Sequence, residues 1–178
     1  LIELGHRRIG CIMGMADSQL SNERLIGYQA ALSDADLPFD PALLQRGDYT
    51  PSSGIAGVNA LLELPNPPTA IFAFNDLMAM GALQALHRKG LRVPDDVAVI
   101  GFDGVPLTQY ITPALSTIEQ PIPTISKQVV SLLLDRINGG APREARTIIA
   151  EPTLVVRAST QGYDPEPHCC DALERNLT

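Results

Sequence analysis

The sequence predicts an α/β domain, a parallel sheet flanked by helices, and three observations carry that expectation. Strand-like and helix-like segments alternate along most of the 178 residues, the order expected of parallel strands joined by right-handed crossovers. Two of the strand segments, "TAIFAF" and "VAVIGF", are continuously apolar rather than alternating, as in sheets covered on both faces. Residues suited to start and stop helices flank the helical segments.

Taken in order, Leu1 to Leu4 read as the end of a helix stopped by Gly5, and "RRIGCIMG" reads as the first strand. The segment "SNERLIGYQAALSDA" reads as a helix with Ser21 as N-cap and Leu25, Tyr28 and Leu32 on one face. A short strand, "ALLQRGDY", precedes a helix over "TPSSGIAGVNALLEL", with Thr50 placed to cap it and Pro51 at its first position. "PNPP" breaks the chain before "TAIFAF". The helix "NDLMAMGALQALHRKG" ends in His87, Arg88, Lys89 and then Gly90, basic residues that suit the negative end of a helix. "VAVIGF" follows the turn "VPDD", and "LSTIEQ" is a weaker strand. Pro123 opens a long helix through "TISKQVVSLLLDRING", and "TIIAEP" and "TLVVRAS" read as the last two strands. From Gln161 the chain is polar and Pro-bearing and is expected to be loose.

Composition narrows the function. A net charge of −7 with one basic cluster, His6, Arg7 and Arg8, argues against a DNA-binding surface, which needs clustered Lys and Arg. No apolar run reaches the roughly 18 residues of a membrane span, and "LIELGHRRIG" lacks the features of a signal peptide. The chain starts without Met and within a helix end, so a longer protein is expected. Three cysteines, Cys11, Cys169 and Cys170, fit reduced cytosolic thiols better than a disulfide framework. The run "HCC" at 168–170 matches no common zinc spacing, so neither metal nor cofactor is expected.

The chemistry gathers at one edge. In an open parallel sheet, ligands bind beyond the carboxyl ends of the strands. Arg24 follows the first strand, Asp48 and Tyr49 the second, Asn75 and Asp76 the third, and Asp103 the fourth. Each has a plain structural reading: a surface charge for Arg24, a core edge for Tyr49, an N-cap for Asn75, a first-turn carboxylate for Asp76, a cap or turn for Asp103. Together they supply donors, acceptors and a stacking face, which a hydroxyl-rich or heteroaromatic small molecule requires. Catalysis has little support, because the sequence has no GxSxG elbow, P-loop, GxGxxG after a strand, or HExxH.

The segments "LGHRRIGCIMG", "SNERLIGYQAAL", "FNDLMAMGALQALHRKGLRVPDDVAVIGFDG" and "TPALSTIEQP", in this order from Leu1 to about Thr160, resemble the LacI/GalR family of bacterial transcriptional regulators. The resemblance implies a type I periplasmic-binding-protein-like fold, with two α/β lobes and an effector, usually a sugar or nucleobase, between them. It implies that Arg24, Tyr49, Asn75, Asp103 and Gln120 contact the effector, and that Met80 and Tyr110 lie in a homodimer face. Family members carry a helix-turn-helix, a hinge helix and most of one lobe before the "LGHRRIG" segment, so operator DNA would be reached only through parts outside this sequence. Residues 1–119 and 152–160 would then form the C-terminal lobe, and 120–151 a returning segment of the other. The stripe Ile125, Val129, Leu132, Leu133 and Ile137 would lack its usual sheet, and is expected to swap with a neighbour, lie on its own lobe or stay poorly ordered. The resemblance implies a cytoplasmic regulator; a solute-binding receptor of the same fold is the alternative, and a sugar-processing enzyme ranks third.

Overall fold

A computed structural model describes residues 1–138 and 147–162. The described elements run β1 (Ile9–Ile12), α1 (Gln19–Asp34), β2 (Leu44–Gln45), α2 (Pro51–Leu62), β3 (Ala70–Ala73), α3 (Asp76–Arg88), β4 (Ala98–Asp103), β5 (Ser116–Glu119), α4 (Ile122–Ile137) and β6 (Thr153–Val155). Short 3-10 turns at Pro41–Leu43 and Pro106–Gln109 precede β2 and β5. The six strands form one sheet in the order β2-β1-β3-β4-β5-β6. The neighbours from β2 to β5 are parallel, and β6 runs antiparallel to β5 at the edge. The fold is therefore the α/β class that the sequence predicts, with one reversed edge strand.

The helices divide between the two faces. α1 covers the face carrying Cys11, and Tyr28 on it donates its hydroxyl to the carbonyl of Ile9 at 2.8 Å. α2 and α3 cover the other face over Ile12, Ile71 and Val99, all fully buried. Each such aliphatic side chain stabilises the fold by about 1.5–3 kcal/mol relative to exposure. The two helices cross with their backbones nearly touching. A methyl group on Gly54 would lie 2.1 Å from the carbonyl oxygen of Met78, and one on Gly81 would lie 2.0 Å from that of Pro51. Only residues without Cβ permit that approach.

Most helix signals hold. Thr50 caps α2 through the Ser53 N–H at 3.3 Å, and Asn75 caps α3 through the Met78 N–H at 2.9 Å. At the start of the chain, Gly5 has φ 98°, while its N–H donates to Ile2 and that of His6 to Leu1; this is the bond pattern that closes a helix end.

Four expectations need correction. The N-cap of α1 is Ser18, not Ser21: Ser18 accepts the N–H of Ser21, which sits buried one turn further in. Residues 147–152 form no strand; they pair with no described strand and leave Ile149 86% exposed. "TLVVRAS" pairs only over Thr153–Val155, because Arg157 and Ser159 turn in to bond the backbone of β4 and of the turn before β5. Finally, of the three outcomes expected for the α4 stripe, lying against its own lobe is excluded: none of its residues is buried, and Val129, Leu133 and Ile137 are exposed. The polar tail beyond Gly162 and the His168–Cys170 run lie outside the described residues. Among those described, no helix is long and apolar enough to cross a membrane.

Candidate functional site

The five residues expected to meet an effector all follow strand ends on one rim, and three of them converge. Asp103 closes β4 with φ 118°, a left-handed backbone that L residues rarely adopt and that a structure retains only when its surroundings enforce it. Its Oδ1 accepts from Gln120 Nε2 at 2.8 Å and from Arg24 Nη2 at 3.4 Å. Arg24, on α1, also donates to the carbonyl of Phe74 at the end of β3. Its guanidinium lies 4.0 Å from the centroid of the Phe102 ring, a cation–π contact. One cation thus joins the ends of β3 and β4, with its side chain only 12% exposed.

Burial holds the Asp103 carboxyl above its ordinary pKa of 3.8, although Arg24 and Gln120 pull it down. Among the described residues both partners bond Oδ1 and none bonds Oδ2, and the side chain is 32% exposed. That is suited to holding a ligand hydroxyl or N–H between an acceptor and a cation.

Asn75 and Tyr49 form a second pair rather than joining the first. Asn75 is buried, caps α3 with its oxygen and donates Nδ2 to the carbonyl of Tyr49 at 3.0 Å. Tyr49 has φ 67°, and its ring lies over Gly14, where a methyl group would meet it at 1.9 Å. Its hydroxyl reaches Ser18 Oγ at 3.3 Å. The amide that resembles an effector contact is therefore also the cap that positions the neighbouring aromatic.

A groove of about 850 Å³ is lined by Arg24 and Gln120 and, away from them, by Leu1, Ile2 and Glu3 at the start of the chain; Asp103, Asn75 and Tyr49 do not line it. Phe72, Ile100, Phe102 and Ile118 form its floor on the sheet, and Gly27 and Ala31 of α1 form one wall. Sequence reasoning missed Phe102, whose neighbour Asp103 drew the attention; the signal was an aromatic one residue before a strand-end carboxylate. Met80 is half-buried against the core, and Tyr110 is 77% exposed beyond β4. Among the described residues no cluster of His, Cys, Asp or Glu could hold a metal ion.

Residues 1–160 match the periplasmic binding protein-like domain family. The chain is 42% identical over 161 residues to the transcriptional repressor CytR of Escherichia coli strain K12, covering 90% of this chain and 47% of the relative. It is 40% identical over 160 residues to the ribose operon repressor of Haemophilus influenzae, covering 89% and 48%. Among solved structures, a complex of the transcriptional regulator CelR with cellobiose superposes with a TM-score of 0.84 at 40% identity, covering 89% of this chain and 48% of that one. The chain spans about half the length of the curated relatives it matches. With 90% of its length aligned to a repressor and its fold shared with a regulator, the chain belongs to the periplasmic-binding-protein-like domains of the LacI family.

Proposed function

We propose that this chain is the effector-sensing part of a LacI-type transcriptional regulator, and that it binds a sugar or sugar derivative in preference to a nucleobase. The observation that carries the reading is the convergence of Arg24, from α1, with Asp103 and Gln120 at the ends of β4 and β5. A carboxylate that only accepts, a guanidinium that only donates and an amide that does both match neighbouring hydroxyl groups, each of which donates and accepts. Two of the similar proteins carry a sugar in their names, a ribose operon repressor and a regulator bound to cellobiose, while others, the repressors CytR and PurR, do not.

In this reading residues 1–119 and 152–160 form the C-terminal lobe, and 120–151 belong to a lobe supplied mostly by sequence before Leu1. The exposed stripe on α4 supports that division, since Val129, Leu133 and Ile137 find no partner surface in the lobe described. Operator DNA is then bound by an upstream helix-turn-helix in a cytoplasmic homodimer, and the effector sets its affinity. The reading involves no catalytic step. The test is titration calorimetry of the full-length gene product with ribose, cellobiose and adenosine, followed by operator-binding assays with whichever ligand binds. Sugar binding that changes DNA affinity is expected. Binding of adenosine alone would overturn the sugar assignment, and a secretory signal in place of the helix-turn-helix would favour a solute receptor.

A further inference from the structure

Asp76 is a buried strand-end residue that the site does not absorb. It opens α3 and is 0% exposed. A first-turn carboxylate helps a helix while remaining in water, and α3 is already capped by Asn75, so neither role explains its burial. Its two oxygens point away from the helix. Oδ2 accepts the backbone N–H of Val105 at 2.7 Å, and Oδ1 accepts the hydroxyl of Thr117, on β5, at 2.6 Å. The same hydroxyl oxygen accepts the N–H of Gly104 at 3.3 Å. In β4 the residue beneath the carboxylate is Gly101, where a methyl group would lie 2.3 Å from Oδ1. A glycine inside an apolar strand leaves space for a close neighbour, and here the neighbour is this carboxylate.

The groups it holds are the two residues that follow Asp103. Asp103 and Gly104 both have positive φ, at 118° and 77°, so the chain reverses its twist where the ligand-facing carboxylate leaves the strand. The N–H groups immediately after that reversal are fixed by Thr117 and Asp76. The carbonyl of Asp103 accepts the N–H of Gln120 at 3.3 Å.

We propose that Asp76 is a positioning residue: from beneath the sheet it fixes the Asp103–Gly104 turn and so aims Asp103 at Arg24, Gln120 and the effector. This rests on the sugar-binding reading for its consequence, but its geometry stands without it. Asp76 does not touch the ligand. It acts through Val105, Gly104 and Thr117.

Amide NMR of the full chain tests the geometry, and ribose or cellobiose titration tests the consequence. Asp76→Ala is expected to shift the Gly104 and Val105 amides and to speed exchange at Val105 by about tenfold or more. It should also release the Gln120 side-chain N–H signals from their bonded positions. Asp76→Asn is expected to restore all three, since its oxygen can accept from Val105 while its amide donates to Thr117. Where wild type binds one of the sugars, Asp76→Ala should lose about tenfold in affinity and Asp76→Asn should regain most of it. Should Asp76→Ala fail to fold, Thr117→Val keeps the volume and removes the link to Gly104, with the same amide shift expected there. A wild type that binds neither sugar sinks the sugar reading, and the NMR result still decides this one. Unchanged Asp103 and Gln120 signals in Asp76→Ala, or in Thr117→Val where Asp76→Ala fails to fold, would reduce Asp76 to a structural tie and overturn the proposal.

Discussion

Gln120 donates to Asp103 Oδ1 at 2.8 Å across the ends of β5 and β4. One partner ends a strand of the lobe, and the other stands where the chain departs toward α4. The Asp103 carboxylate is therefore bonded to the connection itself.

Arg24 is expected to be the second determinant after Asp103. Arg24→Met keeps much of the stem over Phe102 but removes the donors to Asp103 and Phe74. Leaving a buried partner unpaired costs about 1–3 kcal/mol, and more for a charged one, so effector affinity should fall about tenfold or more. Because Arg24 pulls the Asp103 pKa down, that pKa should rise further in the variant. Carboxyl ¹³C titration measures it, and an unmoved Asp103 would show that the pair does not interact.

Two groups are expected to give stability opposite slopes with pH. Burial raises the Asp103 pKa, so the folded chain holds that proton more tightly than the unfolded chain does. The stability it contributes is present at low pH and is lost as pH rises from about 3.8 through the raised native value. Burial lowers His6 from 6.5 to about 4. There the unfolded chain holds the proton more tightly, and stability falls as pH drops from 6.5 to about 4. Urea midpoints across this range should lose the first slope in part in Asp103→Asn, the remainder belonging to Asp76, whose pKa burial also raises, and should lose the second in His6→Gln. Wild-type slopes in both variants would contradict the assignment.

The α2–α3 crossing should not tolerate a methyl group. Gly54→Ala would drive Cβ into the Met78 carbonyl, and overpacking of this kind costs about 1–3 kcal/mol. Gly27→Ala provides the contrast: the position is inside α1 and a methyl group there meets nothing within 4 Å. It should stabilise the fold by about 0.5–1 kcal/mol. Denaturant melts of the two variants check both signs.

Assembly is expected to use Met80 and Tyr110 in a self-complementary two-fold contact. The exposure of Tyr110 is compatible with that role. Sedimentation at micromolar concentration should show a dimer, and Tyr110→Glu should shift it toward monomer without changing the effector constant. A wild-type monomer would remove the dimer from the account.

Much of this was legible because the signals were local. Thr50, Asn75 and Gly90 mark helix ends by chemistry that needs no tertiary context, and unbroken apolar runs mark strands covered on both faces. The rim residues were legible because a parallel sheet presents its strand ends on one edge. What escaped depended on contacts distant in sequence. Asp76 reads as a helix-start carboxylate until Gly101, 25 residues on, is seen to leave room for it. The positive φ at Asp103 and Tyr49 left no mark either, since neither is a glycine. The reach of "TLVVRAS" was overestimated because Arg157 and Ser159 bond the carbonyls of Leu115 and of Val99 in β4 instead of extending the ladder along β5.

Asp103→Ala decides whether Asp103 holds the effector or caps a turn. Calorimetric titration with the effector is set beside a thermal melt of the same variant in the full-length regulator. The account expects at least about a tenfold loss of affinity with a melting point close to wild type, because the side chain adds little to the core and its turn is held by Asp76 and Thr117. An unaltered binding constant with a lowered melting point, the loss of about 1 kcal/mol expected of a removed cap, would contradict it.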